Sequence, residues 1–364
     1  MNPVSKVLII DDSAFNRRAI KNILESIPDV VVAGTATDGE DALKKIKVLS
    51  PDFITLDLEM PKMDGFTFLR ILMRTKPTPT IVVSALSDSE SVFKAMELGA
   101  VDFIPKPTKR ISMELYSIKE DIIKKVLSIR SINLHNVQRR IADINAKLNL
   151  GIDVSSKPIV KISSPVSEPV SMNNDFKLIT IGSSTGGPSA VQRILAGLER
   201  ELNISVVISQ HMPPGFTTTF AQRLNKYTHL NVKEAEDGDA LHRGNALVVP
   251  GGYSISIGTK GNQKIAHLIP KRETDKFVPS VNEMFASAAK KFGSMCSGVV
   301  LTGMGNDGKK GIAMIKDAGG YTIAESEETA VVFGMPREAI ATGKVDRVLP
   351  YYLIPLELNR WAKG

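Results

Sequence analysis

Cysteine is almost absent. Cys296 is the single thiol in 364 residues, so no intramolecular disulfide can form, and no activating motif surrounds it. A buried structural role is expected for it. Long apolar runs are missing as well. None reaches the roughly 18 residues needed to span a bilayer. The N-terminal run Val7-Leu8-Ile9-Ile10 stops at Asp11-Asp12, which is not a signal-peptide core. A cytoplasmic location without direct membrane insertion is expected. Aromatic residues make up only 5% of the chain, and no basic patch is interleaved with base-stacking rings, which argues against nucleic acid as a partner. The net charge of +7 could hint at nucleic acid, but its location weakens that idea, because residues 105–150 hold ten Lys or Arg against four Asp or Glu. Nearly all the excess is one local segment, and a solvated helix face is its simplest reading. What remains is ordinary globular material, with 43% hydrophobic and 23% charged residues and a length that suits about two domains.

The N-terminal third alternates short apolar strands with helical spacing. Strands are expected at 6–10, 30–33, 53–56, 80–84 and 101–104, with helices at 14–26, 38–48, 66–73 and 90–98. Apolar positions from Leu115 through Ile118, Ile122, Val126, Ile129, Val137, Ile141, Ile144 and Leu148 recur mostly every three or four residues, the pattern of a long amphipathic helix. Residues 151–175 carry Pro158, Pro165, Pro169 and six serines, a linker composition. A second α/β pattern follows, with strands expected at 178–181, 204–209, 246–249 and 298–301. The expected fold class is α/β: two doubly wound parallel-sheet domains joined by a helical and Ser/Pro-rich linker. The boundaries drawn are 1–125, 126–175 for the linker, and 176–364.

Chemistry gathers where strands end. Asp11, Asp12 and Asp57 each follow an apolar strand, and in an open parallel sheet the carboxyl ends of the strands border one crevice. Three carboxylates there repel one another unless a hard divalent cation lies between them, and Mg²⁺ suits oxygen ligands of this kind. Ser84 and Lys106 end two more strands at the same edge, where a hydroxyl and an ammonium can bind phosphoryl oxygens. Taken singly, these residues read as scattered strand-end acids or helix caps.

Together they resemble a response-regulator receiver. The segments are Leu8-Ile9-Ile10-Asp11-Asp12-Ser13, Asp57-Leu58-Glu59-Met60-Pro61-Lys62-Met63-Asp64-Gly65, Ser84-Ala85 and Lys106-Pro107, with Phe103 at the aromatic switch position. The resemblance implies a flavodoxin-like receiver fold. It also implies that Asp57 accepts phosphate from a histidine kinase. Asp11, Asp12, Asp57 and the Glu59 carbonyl would hold Mg²⁺, and Ser84 and Lys106 would sense the phosphoryl group.

The C-terminal half carries Gly182-Ser183-Ser184-Thr185-Gly186, a G-x-S-x-G turn between an expected strand and helix. Such a turn exposes its serine at the sheet edge. A serine nucleophile needs an imidazole base, and the base needs an orienting carboxylate. His211 and Asp307 follow later strands and can reach the same crevice. Each has a plainer reading: a phosphate-binding or connecting turn, a structural histidine, a turn aspartate. The chain order serine, histidine, acid differs from the serine, acid, histidine order of α/β-hydrolases.

The combination resembles the catalytic domain of the chemotaxis protein-glutamate methylesterase (CheB) family across residues 178–357. The supporting segments are Ile181–Gly187, Gln210-His211-Met212-Pro213-Pro214-Gly215-Phe216, Leu301–Gly308 and Val332–Ala339. The resemblance implies Ser184 as nucleophile, His211 as base, Asp307 as its orienter and the Met304 N–H as an oxyanion donor. The family usually has alanine where this chain has Ser183, which leaves two adjacent hydroxyls. It also implies hydrolysis of glutamyl methyl esters on chemoreceptors, deamidation of receptor glutamines, no cofactor for the esterase step, and a receiver that blocks the esterase cleft until phosphorylated. The alternative is a response regulator with a non-catalytic binding or DNA-binding output domain.

Overall fold

The structure, a computed structural model, describes residues 4–85, 89–106, 112–129, 132, 136–137 and 176–364. Apart from residues 132 and 136–137, the helix expected beyond Ile129 lies outside these residues, as does the Ser/Pro-rich linker of 151–175. The chain divides into two compact units, Met1–Ala146 and Lys147–Gly364.

The first unit runs β1 (Ser5–Ile10), α1 (Ala14–Leu24), β2 (Val30–Ala36), α2 (Gly39–Leu49), β3 (Phe53–Asp57), α3 (Gly65–Thr75), β4 (Thr80–Ser84), α4 (Ser89–Glu97), β5 (Asp102–Pro105) and α5 (Ser112–Ile129). Its five strands are parallel in the order β2-β1-β3-β4-β5, the flavodoxin-like arrangement. β3 and β4 are buried along their whole length. A sheet covered on both faces needs apolar residues on both, which is why these strands are nearly continuous hydrophobic runs. Val7, Ile9, Phe53, Ile81, Val83 and Ile104 pack with Ile20, Ile23 and Leu24 of α1 and Ile122, Val126 and Ile129 of α5. α5 thus belongs to this core past the boundary drawn at residue 125. Helices α1, α2 and α3 start on Ser13, Asp38 and Asp64, whose side chains accept from the amides of Asn16, Asp41 and Thr67.

The second unit contains β6 (Lys177–Ser183), α6 (Gly187–Ala196), β7 (Ile204–Gln210), α7 (Phe216–Tyr227), β8 (Asn231–Glu234), β9 (Asn245–Val248), β10 (Tyr253–Lys260), β11 (Gln263–Pro270), α8 (Val281–Phe292), β12 (Cys296–Val300), α9 (Lys309–Asp317), β13 (Tyr321–Glu325), α10 (Met335–Ile340), β14 (Arg347–Leu349) and α11 (Ile354–Lys363). Seven strands form one parallel sheet, β14-β13-β12-β6-β7-β9-β8. β10 and β11 form a separate antiparallel hairpin, which the periodicity did not disclose. Val281, Met284, Phe285 and Ala288 of α8 pack with Ile312 and Ile315 of α9, Met335 and Ala339 of α10, and Ile255 and Ile257 of the hairpin. Cys296 is fully buried in this core, and burial pushes its thiol up to about 12.

The strand order reverses between β1 and β3 in the first unit and between β6 and β12 in the second, where β8 and β9 also exchange places at the far edge. Loops diverge at such a point and leave a crevice beyond the carboxyl ends of the strands. Among the described residues no helix is long and apolar enough to cross a membrane.

Two candidate active sites at the strand-order reversals

In the first unit, Asp11 and Asp12 leave β1 while Asp57 ends β3, so all three meet at the reversal. Their carboxylate oxygens lie within 4.8 Å of one another. Asp11 and Asp57 are buried and Asp12 is exposed. Asp11 Oδ1 accepts the Ser13 N–H at 2.8 Å and the Asn16 amide at 3.4 Å, but its Oδ2 is buried with no hydrogen-bond partner. Burial, and then the charge of Asp57, pushes the Asp11 carboxyl up to about 6. Burial also raises Asp57, against the pull of Lys106. The Lys106 ammonium reaches Asp57 Oδ2 at 2.7 Å, and the Glu59 N–H reaches Oδ1 at 3.2 Å. Burial works against the Lys106 charge, but the contact with Asp57 outweighs it and raises the ammonium pKa. Ser84 is buried at the end of β4, its hydroxyl 3.4 Å from the Ala85 carbonyl. Phe103 is buried on β5, the strand paired with β4, with the Lys125 ammonium 4.6 Å from its ring centroid.

An orphaned, buried carboxylate oxygen among three converging acids is a donor set that fits a hard divalent cation. The turn carrying Glu59 is also pinned by a residue the sequence did not flag. Lys62, at φ 62°, reaches Asp38 Oδ2 at 2.9 Å.

In the second unit, β6 and β7 pair in register with Ser183 opposite Gln210. The next residue on each strand is Ser184 and His211. Across the reversal, β12 continues into Leu301-Thr302-Gly303-Met304. The Ser184 N–H donates to the Thr302 carbonyl at 3.0 Å. A Cβ on Gly303 would stand 2.7 Å from the Ser184 Cβ, so only glycine allows this approach. Met304 follows directly, and its N–H makes no hydrogen bond among the described residues.

The two adjacent hydroxyls are in different surroundings. Ser183 is fully buried, and its Oγ donates to Gln210 Oε1 at 2.6 Å. Ser184 is half-buried, whereas Ser183, Thr185 and Gly186 on either side of it are buried. Gly186, at φ 77°, turns the chain sharply into α6.

His211 Nε2 lies 2.9 Å from Asp307 Oδ2. That carboxylate sits on the first turn of α8, accepting the N–H of Val281 at 2.7 Å and of Asn282 at 3.0 Å, with the Gly308 N–H at 3.0 Å. Burial pushes Asp307 up, but the His211 hydrogen bond and charge and these amides prevail and hold it below the usual carboxylate range. An ionised Asp307 at Nε2 fixes the proton there and leaves Nδ1 with the lone pair. No hydrogen bond joins the Ser184 hydroxyl to His211 among the described residues.

Two neighbours have no signature in the sequence. Gln210 is buried, and its Nε2 donates to the carbonyls of both Ser184, at 3.0 Å, and His211, at 3.1 Å. Phe277 stacks on the His211 ring, with centroids 5.3 Å apart and planes 7° from parallel. Gln210 opens the Gln210–Phe216 segment but has no role assigned there, and Phe277 lies in none of the segments, so only the folded chain reveals these contacts.

Known proteins show the same organisation. Residues 7–115 match the response regulator receiver domain family, and residues 179–358 match the CheB methylesterase family. The Geobacter sulfurreducens protein-glutamate methylesterase/protein-glutamine glutaminase 3 is 49% identical over 350 residues, covering 94% of each chain. A Myxococcus xanthus protein of the same title, numbered 1, is 44% identical over 348 residues, covering 95% of this chain and 94% of its own. Among solved structures, the Thermotoga maritima CheB methylesterase catalytic domain is 40% identical, with a TM-score of 0.49. It covers 51% of this chain and 98% of that one. With matching domains in matching order and near-complete alignment to its relatives, the chain belongs to the CheB methylesterase family, joined to a response-regulator receiver domain.

Proposed function

We propose that this chain is a phosphorylation-activated protein-glutamate methylesterase acting on methylated chemoreceptors, and a deamidase of receptor glutamines. The observation that carries this reading is the His211–Asp307 pair. Asp307 is kept ionised by amides and by His211, and His211 keeps a basic Nδ1 at the strand end beside Ser184. In this reading Ser184 Oγ attacks the ester carbonyl while Nδ1 takes the hydroxyl proton. The oxyanion forms against the Met304 N–H. The same proton passes to the methoxy oxygen, methanol leaves, and water then releases the glutamate and regenerates Ser184. On a glutamine side chain the leaving group is ammonia.

Asp57 is the phosphoryl acceptor, supplied by a histidine kinase of the pathway. Asp11, Asp12, Asp57 and the Glu59 carbonyl would hold Mg²⁺, which supplies positive charge for phosphoryl oxygens. Lys106 already faces Asp57 and Ser84 ends the neighbouring strand, so both meet the new charge. The esterase step itself is assigned to side chains and backbone of residues 176–364, with the receiver extending through α5 to Ile129 rather than ending at 125, and the linker following it up to residue 175. The location assigned is the cytoplasm, where receptor signalling helices and kinase are accessible.

The test is methanol release from methylated receptor, with and without a small-molecule phosphodonor. A phosphodonor should raise the wild-type rate, and chelating Mg²⁺ should abolish that rise while leaving the basal rate. A wild-type chain that releases no methanol, or whose rate ignores the phosphodonor, would overturn the reading.

A further inference from the structure

One fully buried carboxylate takes no part in the steps above. Glu325 ends β13, the strand next to β12, and has no solvent exposure. Its Oε2 accepts the Thr302 N–H at 2.8 Å, and its Oε1 accepts the Thr329 hydroxyl at 2.9 Å. Burying a carboxylate is unfavourable unless its hydrogen bonds give something an apolar side chain cannot. Here they give direction to one backbone segment.

Thr302 is a junction. Its carbonyl accepts the Ser184 N–H at 3.0 Å. Its hydroxyl donates to the Thr185 carbonyl at 2.9 Å and accepts the Val332 N–H at 2.9 Å. The next residue, Gly303, donates to the Val332 carbonyl at 3.0 Å and accepts from Gly334 at 3.1 Å and Met335 at 2.7 Å. The serine turn and the Met304 amide therefore hang from the same two residues. Of the bonds that hold this segment, the one on the Thr302 amide comes from a charged group. Charge-assisted bonds are the stronger and more directional kind.

We infer that Glu325 is a positioning residue for the reaction, fixing the Thr302–Met304 segment so that the Met304 N–H and Ser184 meet the same tetrahedral centre. It touches neither substrate nor Ser184 and acts through Thr302. This inference rests on the esterase reading.

The experiment compares full-length wild type, Ser184→Ala, Glu325→Met, Glu325→Gln and Thr329→Val. Methanol release gives kcat and KM, thermal unfolding gives stability, and a fluorophosphonate that reacts with an activated serine gives active-site stoichiometry and labelling rate. Methionine keeps the volume of Glu325 and removes both acceptors. It should lower kcat by about 10- to 100-fold, less than the roughly 10²- to 10³-fold lost when an oxyanion donor is removed outright, because the Met304 N–H is misplaced and not deleted. KM should stay within about twofold, with full but slower labelling. Glutamine keeps a carbonyl acceptor for the Thr302 N–H and should recover most of the loss. Thr329→Val removes the outer anchor, together with the acceptor of the Tyr351 N–H at 3.1 Å, and should lower kcat roughly threefold with some loss of thermal stability.

Wild-type kcat and labelling rate in a folded Glu325→Met chain overturn the inference. So does a kcat that falls only in step with the labelled fraction, the mark of a purely structural role. A glutamine variant as impaired as the methionine one also overturns it. If Glu325→Met does not fold, Thr329→Val decides between the same outcomes. If wild type releases no more methanol than Ser184→Ala, the esterase reading falls and this inference with it; if only the Glu325 and Thr329 variants are unaffected, the esterase reading stands.

Discussion

Asp11 and Asp307 are both aspartates, both 1% exposed, and both lie at the strand-order reversal of a parallel sheet. Their surroundings differ in completeness. Asp307 receives His211 and three backbone amides, which hold its carboxyl below the usual range despite burial. Asp11 has donors on one oxygen only, and burial beside Asp57 pushes it up to about 6. The same fold element thus serves two purposes. A carboxylate that must orient an imidazole is completed by the protein. The carboxylate proposed to bind a cation is left with one oxygen unpartnered, and burial makes its charge unfavourable.

The sharpest way to break this comparison is to disable each crevice alone. Ser184→Ala should lower methanol release by at least about 10⁴-fold while leaving phosphodonor labelling of Asp57 intact. A serine variant that loses labelling would mean the two sites are not chemically separate. Next in size is Asp307→Asn. It removes the charge that keeps the proton on Nε2, and kcat should fall by roughly 10³- to 10⁴-fold. An Asp307→Asn enzyme within tenfold of wild type would mean that the tautomer of His211 is fixed by something else.

The smallest effect concerns stability and has opposite signs at the two aspartates. The native Asp11 pKa lies above the unfolded value, so between about pH 4 and pH 6 the folded metal-free receiver holds more protons than the unfolded chain. Its stability therefore falls as pH rises through that window, by at most about 3 kcal/mol. Asp11→Asn should abolish this slope and raise the receiver's melting temperature at pH 7 in the presence of a chelator. For Asp307 the native pKa is lowered, so its contribution is present above about pH 4 and is lost as pH falls through the native value. Thermal unfolding from pH 3 to pH 7.5 separates the two, and an unchanged slope in Asp11→Asn would remove the incomplete-carboxylate account.

The receiver was more legible in the sequence than the esterase for a physical reason. β1, β3 and β4 are buried on both faces, so their apolar runs stand out and the acids that stop them are conspicuous. In the second sheet, β8 and β14 are edge strands of four and three residues with mixed exposure, and the hairpin of β10 and β11 has one solvated face, so no clear run announces them. Spacing favours Ser184 over Ser183, because it is the third residue of the G-x-S-x-G turn. What spacing could not show is that Gln210 captures the Ser183 hydroxyl, a contact across the β6–β7 pair. Phe277 was equally invisible, because a phenylalanine in a polar loop reads as an ordinary apolar residue until His211 is seen against it.

That stack has a stereochemical consequence. The His211 ring is held at one edge by Asp307 and covered on one face by Phe277, so it has little freedom to swing between two positions. In the proposed mechanism the edge that accepts the serine proton must also hand it back. The departing oxygen of methanol, or nitrogen of ammonia, must therefore come to Nδ1 at the place the serine proton left. Selection among esters then operates through the trajectory of the leaving group: a branched alkyl ester could occupy the crevice and still turn over slowly, because its alkoxide oxygen is shielded from the one edge that can protonate it.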